Sequence, residues 1–241
     1  SNFFYLCEHT TKKHNDEKTI HSLRISIAIP VACLPTTSHN SHHRAQSEIW
    51  KTFQRRTVSH LLCPGHTATA IYLFHQGQSD FIYHDGFQLT TEHWVRIKIL
   101  KPQGMSYADV SVPYYSPTDK DEGQERASDI EGYSYNMENG KCIKTPMKRE
   151  SISFERINNL YKMLKFSLPA VKEGTVIEYH YKLYSDYFSH IDNWMMQEEL
   201  PMLYNQYKIT IPHVFIYNIE FAGKGLHTSE TKRLLHPCHG T

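Results

Sequence analysis

The chain has 241 residues with 26 Lys and Arg against 25 Asp and Glu, a formal net charge of +1, and 12% aromatic residues that include 16 Tyr and 11 Phe. A balance this close to zero offers no global field for recruiting nucleic acid or an anionic membrane, and no run reaches the roughly 18 apolar residues of a membrane-spanning helix. The length suffices to bury a core without disulfide staples, and the aromatic content leans towards a half-buried pleated surface.

Residues 1–66 are rich in His and hydroxyl side chains, among them Ser38-His39-Asn40-Ser41-His42-His43. Ile25-Ser26-Ile27-Ala28-Ile29-Pro30-Val31-Ala32-Cys33, preceded by Lys12, Lys13 and Arg24, has some features of a lipoprotein signal, but Pro30 and the short apolar run favour a buried strand. Ala45, Ile49 and Phe53 stand at four-residue spacing and suggest a helix.

From Thr69 onward the pattern becomes short alternating runs divided by turn signals, which is how antiparallel sheets are written. Ile71 and Leu73 make one strand. Val95, Ile97 and Ile99 alternate with Arg96 and Lys98 in the next, predicting one apolar and one charged face. Val110 and Val112 continue to Pro113, and Tyr133 and Tyr135 lead into Asn139-Gly140, the dipeptide suited to a two-residue hairpin turn, with Cys142 and Ile143 on the return strand. Ile157, Leu160, Tyr161 and Leu164 have helical spacing and predict one short helix or an irregular crossover. After Gly174, Thr175, Ile177, Tyr179, Tyr181 and Leu183 form a long period-two face, and Tyr207, Ile209 and Ile211 repeat it before Pro212. The expectation is an all-β protein, an antiparallel β-sandwich with at most one or two short helices. Val95, Ile97, Ile99, Ile177, Tyr179, Tyr181, Ile209 and Ile211 point inward, because a one-residue slip would bury Arg96, Lys98, Glu178, Lys182 or Lys208 in their place.

The segment Phe166-Ser167-Leu168-Pro169-Ala170-Val171-Lys172-Glu173-Gly174-Thr175-Val176-Ile177-Glu178-Tyr179 resembles a signature of the β-rich domain of unknown function that precedes the core of bacterial transglutaminase-like proteins. Further motifs follow that pattern in order: Arg96-Ile97-Lys98-Ile99-Leu100 with Gly104, Trp194-Met195-Met196-Gln197, Pro201, and Tyr207-Lys208-Ile209-Thr210-Ile211-Pro212. The resemblance covers about residues 67–222. It divides the chain into a His-rich N-terminal segment 1–66, a sandwich domain 67–225 and an unmatched tail 226–241. It also implies an exported bacterial protein, periplasmic or at the cell surface, and places catalysis in a following domain that would begin beyond Thr241.

Candidate chemistry within the chain is sparse. Cys7, Cys33, Cys63, Cys142 and Cys238 are scattered, odd in number and never in a CxxC pair, and none has the helix N-terminus or adjacent base that activates a thiol. Cys63-Pro64-Gly65-His66 could place two zinc ligands on one tight turn and His236-Pro237-Cys238-His239 could supply the others of a tetrahedral site, but the spacing matches no regular finger or ribbon. His39, His42 and His43 read as a solvated loop with at most weak metal affinity. Trp194 reads as a buried anchor, and Glu178 as a cross-strand partner of Arg96 or Lys98, with a ligand carboxylate as the sharper alternative. The expected function is therefore a non-catalytic accessory or interaction module partnered by a transglutaminase-like domain or another protein, without catalytic residues, cofactor or metal, and without nucleic acid as a partner. The alternative is a sandwich that binds a glycan or peptide.

Overall fold

The computed structural model describes residues 68–83, 85–119, 123–212 and 214–222, together with three further strands at 2–8, 22–28 and 228–233. In chain order the strands are β1 (Asn2–Glu8), β2 (Ser22–Ala28), β3 (Ala70–Tyr83), β4 (Phe87–Ile99), β5 (Asp109–Tyr115), β6 (Glu125–Glu138) and β7 (Lys141–Pro146). They continue with β8 (Ile152–Arg156), β9 (Tyr161–Ser167), β10 (Val176–Ser185), β11 (His190–Met195), β12 (Asn205–Ile211), β13 (Ile216–Ala222) and β14 (Thr228–Arg233). The helical content of the described residues is two 3-10 turns, Pro102–Ala108 and Arg149–Ser151. The protein is all-β and sandwich-like.

One eight-stranded sheet, ordered β14-β1-β12-β3-β4-β10-β6-β7, forms the base, and two three-stranded sheets, β11-β2-β13 and β5-β9-β8, complete the strands. Pairing is antiparallel throughout except between β3 and β12, which run parallel. The N-terminal segment therefore supplies strands to both a large and a small sheet, and the apolar run at Ile25 is indeed a strand over Ser22–Ala28. The helix expected from Ala45, Ile49 and Phe53 lies outside the described residues.

Both small sheets cover the same face of the large one. Odd-numbered residues of β4, β10 and β12 form that face, so the period-two pattern is realised: all eight residues expected to point inward are buried. Over one half, Val95, Ile97, Ile99, Ile177 and Tyr179 meet Leu164 and Phe166 of β9 and Tyr114 of β5. Over the other, Tyr207, Ile209 and Ile211 meet Ile191 and Trp194 of β11 and Phe215. β5 runs on through Pro113 to Tyr115, which an edge strand tolerates because the missing N–H faces no partner.

The signature around residues 166–179 is a packed corner. Leu168 is buried, the Asn136 amide donates to the Ala170 carbonyl at 2.8 Å, and the Thr175 hydroxyl donates to Asn136 Oδ1 at 2.6 Å while accepting the Lys172 N–H at 2.9 Å. Asn139 and Gly140, with φ of 50° and 76°, make the tight turn between β6 and β7 that the dipeptide predicts.

Two expectations are corrected. The helix or crossover predicted from Ile157, Leu160, Tyr161 and Leu164 is the hairpin joining β8 to β9. Asn158 Oδ1 accepts the N–H groups of Leu160 (2.8 Å) and Tyr161 (2.9 Å), a side-chain turn that competes with helix. Leu164 alone of the four is buried, so their helical spacing is coincidental. Second, the charged face of β4 and β10 is not a solvated one. Arg96 and Glu178 are buried there, as is Lys208 on β12, and Lys98 and Lys182 are half-buried. The register is as expected, but Arg96 and Glu178 stand side by side on adjacent central strands, flanked by neighbours such as Tyr135, and pair there in place of facing water.

Candidate functional site

Between the two cores runs an aromatic seam on the covered face of the large sheet. Its shape follows from pairing: β4 sets Val95 opposite His75 and His93 opposite Gly77, while β10 sets Tyr181 opposite His93. Trp194, 5% exposed, lies over the gap with its ring centroid 4.4 Å from His75, 5.4 Å from His93 and 5.0 Å from Tyr207. Gly77 is required beneath it, because a Cβ there would come within 2.4 Å of the Trp194 ring. The indole N–H donates to Asn205 Oδ1 at 2.7 Å, and the Asn205 amide donates to the carbonyls of Met195 and Met196, each at 2.9 Å. Tyr72 stacks on His75 and donates its hydroxyl to Glu198 at 2.9 Å.

The two imidazoles are neutral at physiological pH. Burial, reinforced by the proximity of His93, lowers His75 to about 3. Burial, with His180 nearby, lowers His93 to about 4. Among the described residues His75 Nδ1 has no hydrogen-bond partner, and it is buried. Burial likewise raises the hydroxyls of Tyr72, Tyr179 and Tyr181 above the ordinary tyrosine range, with the Glu198 carboxylate adding to each shift. Such groups are poised neither as nucleophiles nor as bases at neutral pH. The seam is an aromatic interior packed around Trp194.

On the opposite face of the same strands Arg96 and Glu178 form a buried ion pair through Nη2 and Nε, the latter at 2.9 Å, both to Oε2. Tyr135 donates to Oε1 at 3.3 Å, so both carboxylate oxygens are engaged by this chain. Beside them Lys182 Nζ meets Glu92 at 2.9 Å, and His180 stacks on Trp94 at 5.0 Å.

The third feature is open. β7 ends the large sheet and β8 ends a small one, and the link 147–151 joins them. Phe154, Ile157, Leu160 and Tyr161, on β8 and its hairpin to β9, are between 42% and 51% exposed, and Ile143 on β7 is 42% exposed. Register places Phe154 opposite Leu164, hence on the core-facing side of β8. Ile143 stands opposite Asn136, whose neighbour Ser134 pairs with Ile177, so it too lies on the core-facing side of its strand. The sandwich is thus unsealed along this flank.

Several residues singled out from sequence can be placed. Trp194 is buried as an anchor, and Glu178 pairs with Arg96 and not with Lys98. Cys142 is an exposed free thiol on β7. Cys63, His66, His236, Cys238, His239 and the cluster His39, His42 and His43 lie outside the described residues. Among the described residues no group of three or more His, Cys, Asp or Glu is arranged to hold a metal ion, and no helix is long and apolar enough to cross a membrane. Sequence reasoning missed the His75–Trp194–His93 seam, whose one local sign is Gly77 interrupting a strand of bulky residues. It also missed the exposed hairpin, hidden by the helical reading of its apolar spacing.

No curated protein matches the chain. Among solved structures, a putative protease from Parabacteroides distasonis ATCC 8503 is similar over 48% of this chain and 23% of that one, with 10% identity and a TM-score of 0.36. The matched part is therefore less than a quarter of that protein's length. A model of the DUF3857 family, a domain of unknown function with a solved structure, matches residues 86–235, which takes in β4 to β14 and both unsealed strands. With more than half of its length matched, the chain belongs to the DUF3857 family.

Proposed function

We propose that this chain is a non-catalytic interaction module that packs against and positions a transglutaminase-like domain of an exported bacterial protein. The observation that carries the reading is the unsealed flank, where Phe154 and Ile143 sit on core-facing sides of edge strands and remain exposed beside Ile157, Leu160 and Tyr161. Clustered exposed apolar side chains at the rim of a packed core mark a surface that another protein covers. The resemblance of the 166–179 segment is the reason for naming a transglutaminase-like partner and an exported location.

Sedimentation of the full chain with a transglutaminase-like catalytic domain, taken from a protein in which that domain follows a DUF3857 domain, tests the reading. A one-to-one complex is expected, lost in the Phe154→Ser/Leu160→Ser double variant. Absence of a complex would overturn it, as would thiol-dependent acyl transfer by the isolated chain that disappears with Cys142→Ala.

A second reading, a glycan- or peptide-binding sandwich, draws on the row Tyr72, Tyr179 and Tyr181 beside Glu198. It is the weaker of the two because these rings are buried and stacked on one another or on other aromatic side chains of the fold.

A further inference from the structure

The near-zero net charge conceals a polarity. Residues 141–172 carry eight Lys and Arg against two Glu, while the rest of the chain carries 18 against 23. That segment is β7, β8 and β9 with their connections, which is the unsealed flank itself. Half of its cations have local work. Lys165 meets Glu155 at 2.6 Å, Lys172 meets Glu138 at 3.2 Å, Lys144 lies 3.6 Å from the centre of the Tyr133 ring, and Arg156 donates to the carbonyls of Ser116 and Asn158. Lys141, Lys148 and Arg149 are exposed and make no ion pair among the described residues.

Cations on an edge strand are a common guard against aggregation and would by themselves need no partner. Two observations go further. The backbone of β8 pairs with β9 on one side and with no described strand on the other. Phe154, moreover, faces the core and is still 51% exposed, so the layer is one strand short of covering its own interior. An occupant that cures both defects must bring main-chain hydrogen bonds, apolar side chains on one face and negative charge. A globular surface offers the last two without the first, whereas an extended peptide offers all three.

We propose that an acidic, extended segment of a partner protein adds to β8 as a fourth strand of the small sheet. Its apolar residues cover Phe154, and its carboxylates lie against Lys148 and Arg149. The proposal rests on the interaction-module reading and names the chemistry of the partner. The choice of Glu and Asp over neutral residues follows from the excess of exposed cations, and the affinity must therefore fall with salt.

The probe is a fluorescent peptide of roughly ten residues alternating Val and Glu, titrated into the full chain and followed by anisotropy, with a Val–Lys peptide and phosphatidylserine vesicles as comparisons. Binding of the Val–Glu peptide alone is expected. Lys148→Glu/Arg149→Glu should weaken it about tenfold or more, and Phe154→Ser and Phe154→Pro should abolish it, the proline by removing an N–H that points to the free edge. Lys148, Arg149 and Phe154 are all exposed, and unchanged thermal unfolding of at least the charge-reversal variant separates lost binding from lost fold. Equal binding of both peptides, binding of neither, or binding of vesicles in place of the peptide overturns strand addition. If the peptide fails while the catalytic domain still docks in a manner sensitive to Phe154→Ser/Leu160→Ser, the interaction module stands and the acidic strand falls. If both fail, both readings fall together.

Discussion

The middle of the large sheet and its β7–β8 flank are built from the same alternating code and end in opposite states. In the middle, β4 lies between β3 and β10, so Val95 and Ile97 on one face and Arg96 on the other are all buried. Every polar group there has to find a partner or stay neutral, as Arg96 does with Glu178 and as His75 and His93 do by not taking up a second proton. On the flank, Phe154 is placed inward by register as strictly as Ile97, yet it stays exposed, with no further strand among the described residues to close the layer. Position within the sheet, more than residue type, decides whether an alternating strand is core or contact surface.

The comparison is broken most readily at the buried ion pair. Glu178→Ala leaves Arg96 buried without its carboxylate and should lower the unfolding free energy by about 3–5 kcal/mol in a urea titration, whereas Arg96→Met with Glu178→Leu should cost far less. A double variant as unstable as the single one would show that the pair matters for more than mutual neutralisation. Trp194→Ala should cost about 3–5 kcal/mol as well, since it empties the space between both histidines and Tyr207. Unchanged unfolding with loss of a bound partner would instead make Trp194 a recognition residue.

The seam also predicts a pH response. His75 and His93 titrate lower when folded (about 3 and about 4) than when unfolded (6.5), so the unfolded chain binds more protons between those values. Their contribution to stability is complete above pH 6.5 and falls as the pH drops towards 4 and then 3. At pH 5 each should have withdrawn roughly 2 kcal/mol, before most carboxylates titrate. His75→Gln should remove about half of the slope between pH 6.5 and 5, and an unaltered slope would mean that His75 is reached by solvent.

Gly77→Ala should destabilise by about 1–3 kcal/mol, because its methyl group collides with Trp194 and Tyr207. The smallest effect belongs to the flank: Phe154→Ser and Leu160→Ser should each change stability by no more than about 0.5 kcal/mol. A loss of several kcal/mol at either site would show that the flank belongs to the core after all.

The amino-acid sequence by itself determined what is local. Period-two runs specified β4, β10 and β12 and their inward residues, because slipping one strand would exchange its whole apolar set for charges. Asn139-Gly140 specified its turn, because those two residues tolerate positive φ. Tertiary structure decided what depends on neighbours distant in the chain. That Glu178 meets a cation of β4 was legible from alternation, but that the cation is Arg96, 82 positions away in the chain, and that the pair is buried was decided by register and packing. The apolar spacing from Ile157 to Leu164 reads as helical until Leu164 is seen under the sandwich, with Asn158 turning the chain outside it. The packing of Trp194 against His75 and His93 joins β3, β4 and β11, and the basic flank becomes one surface because a hairpin and an edge strand place it there. Alternation is a property of one strand, whereas burial of its second face depends on the strands and layers around it.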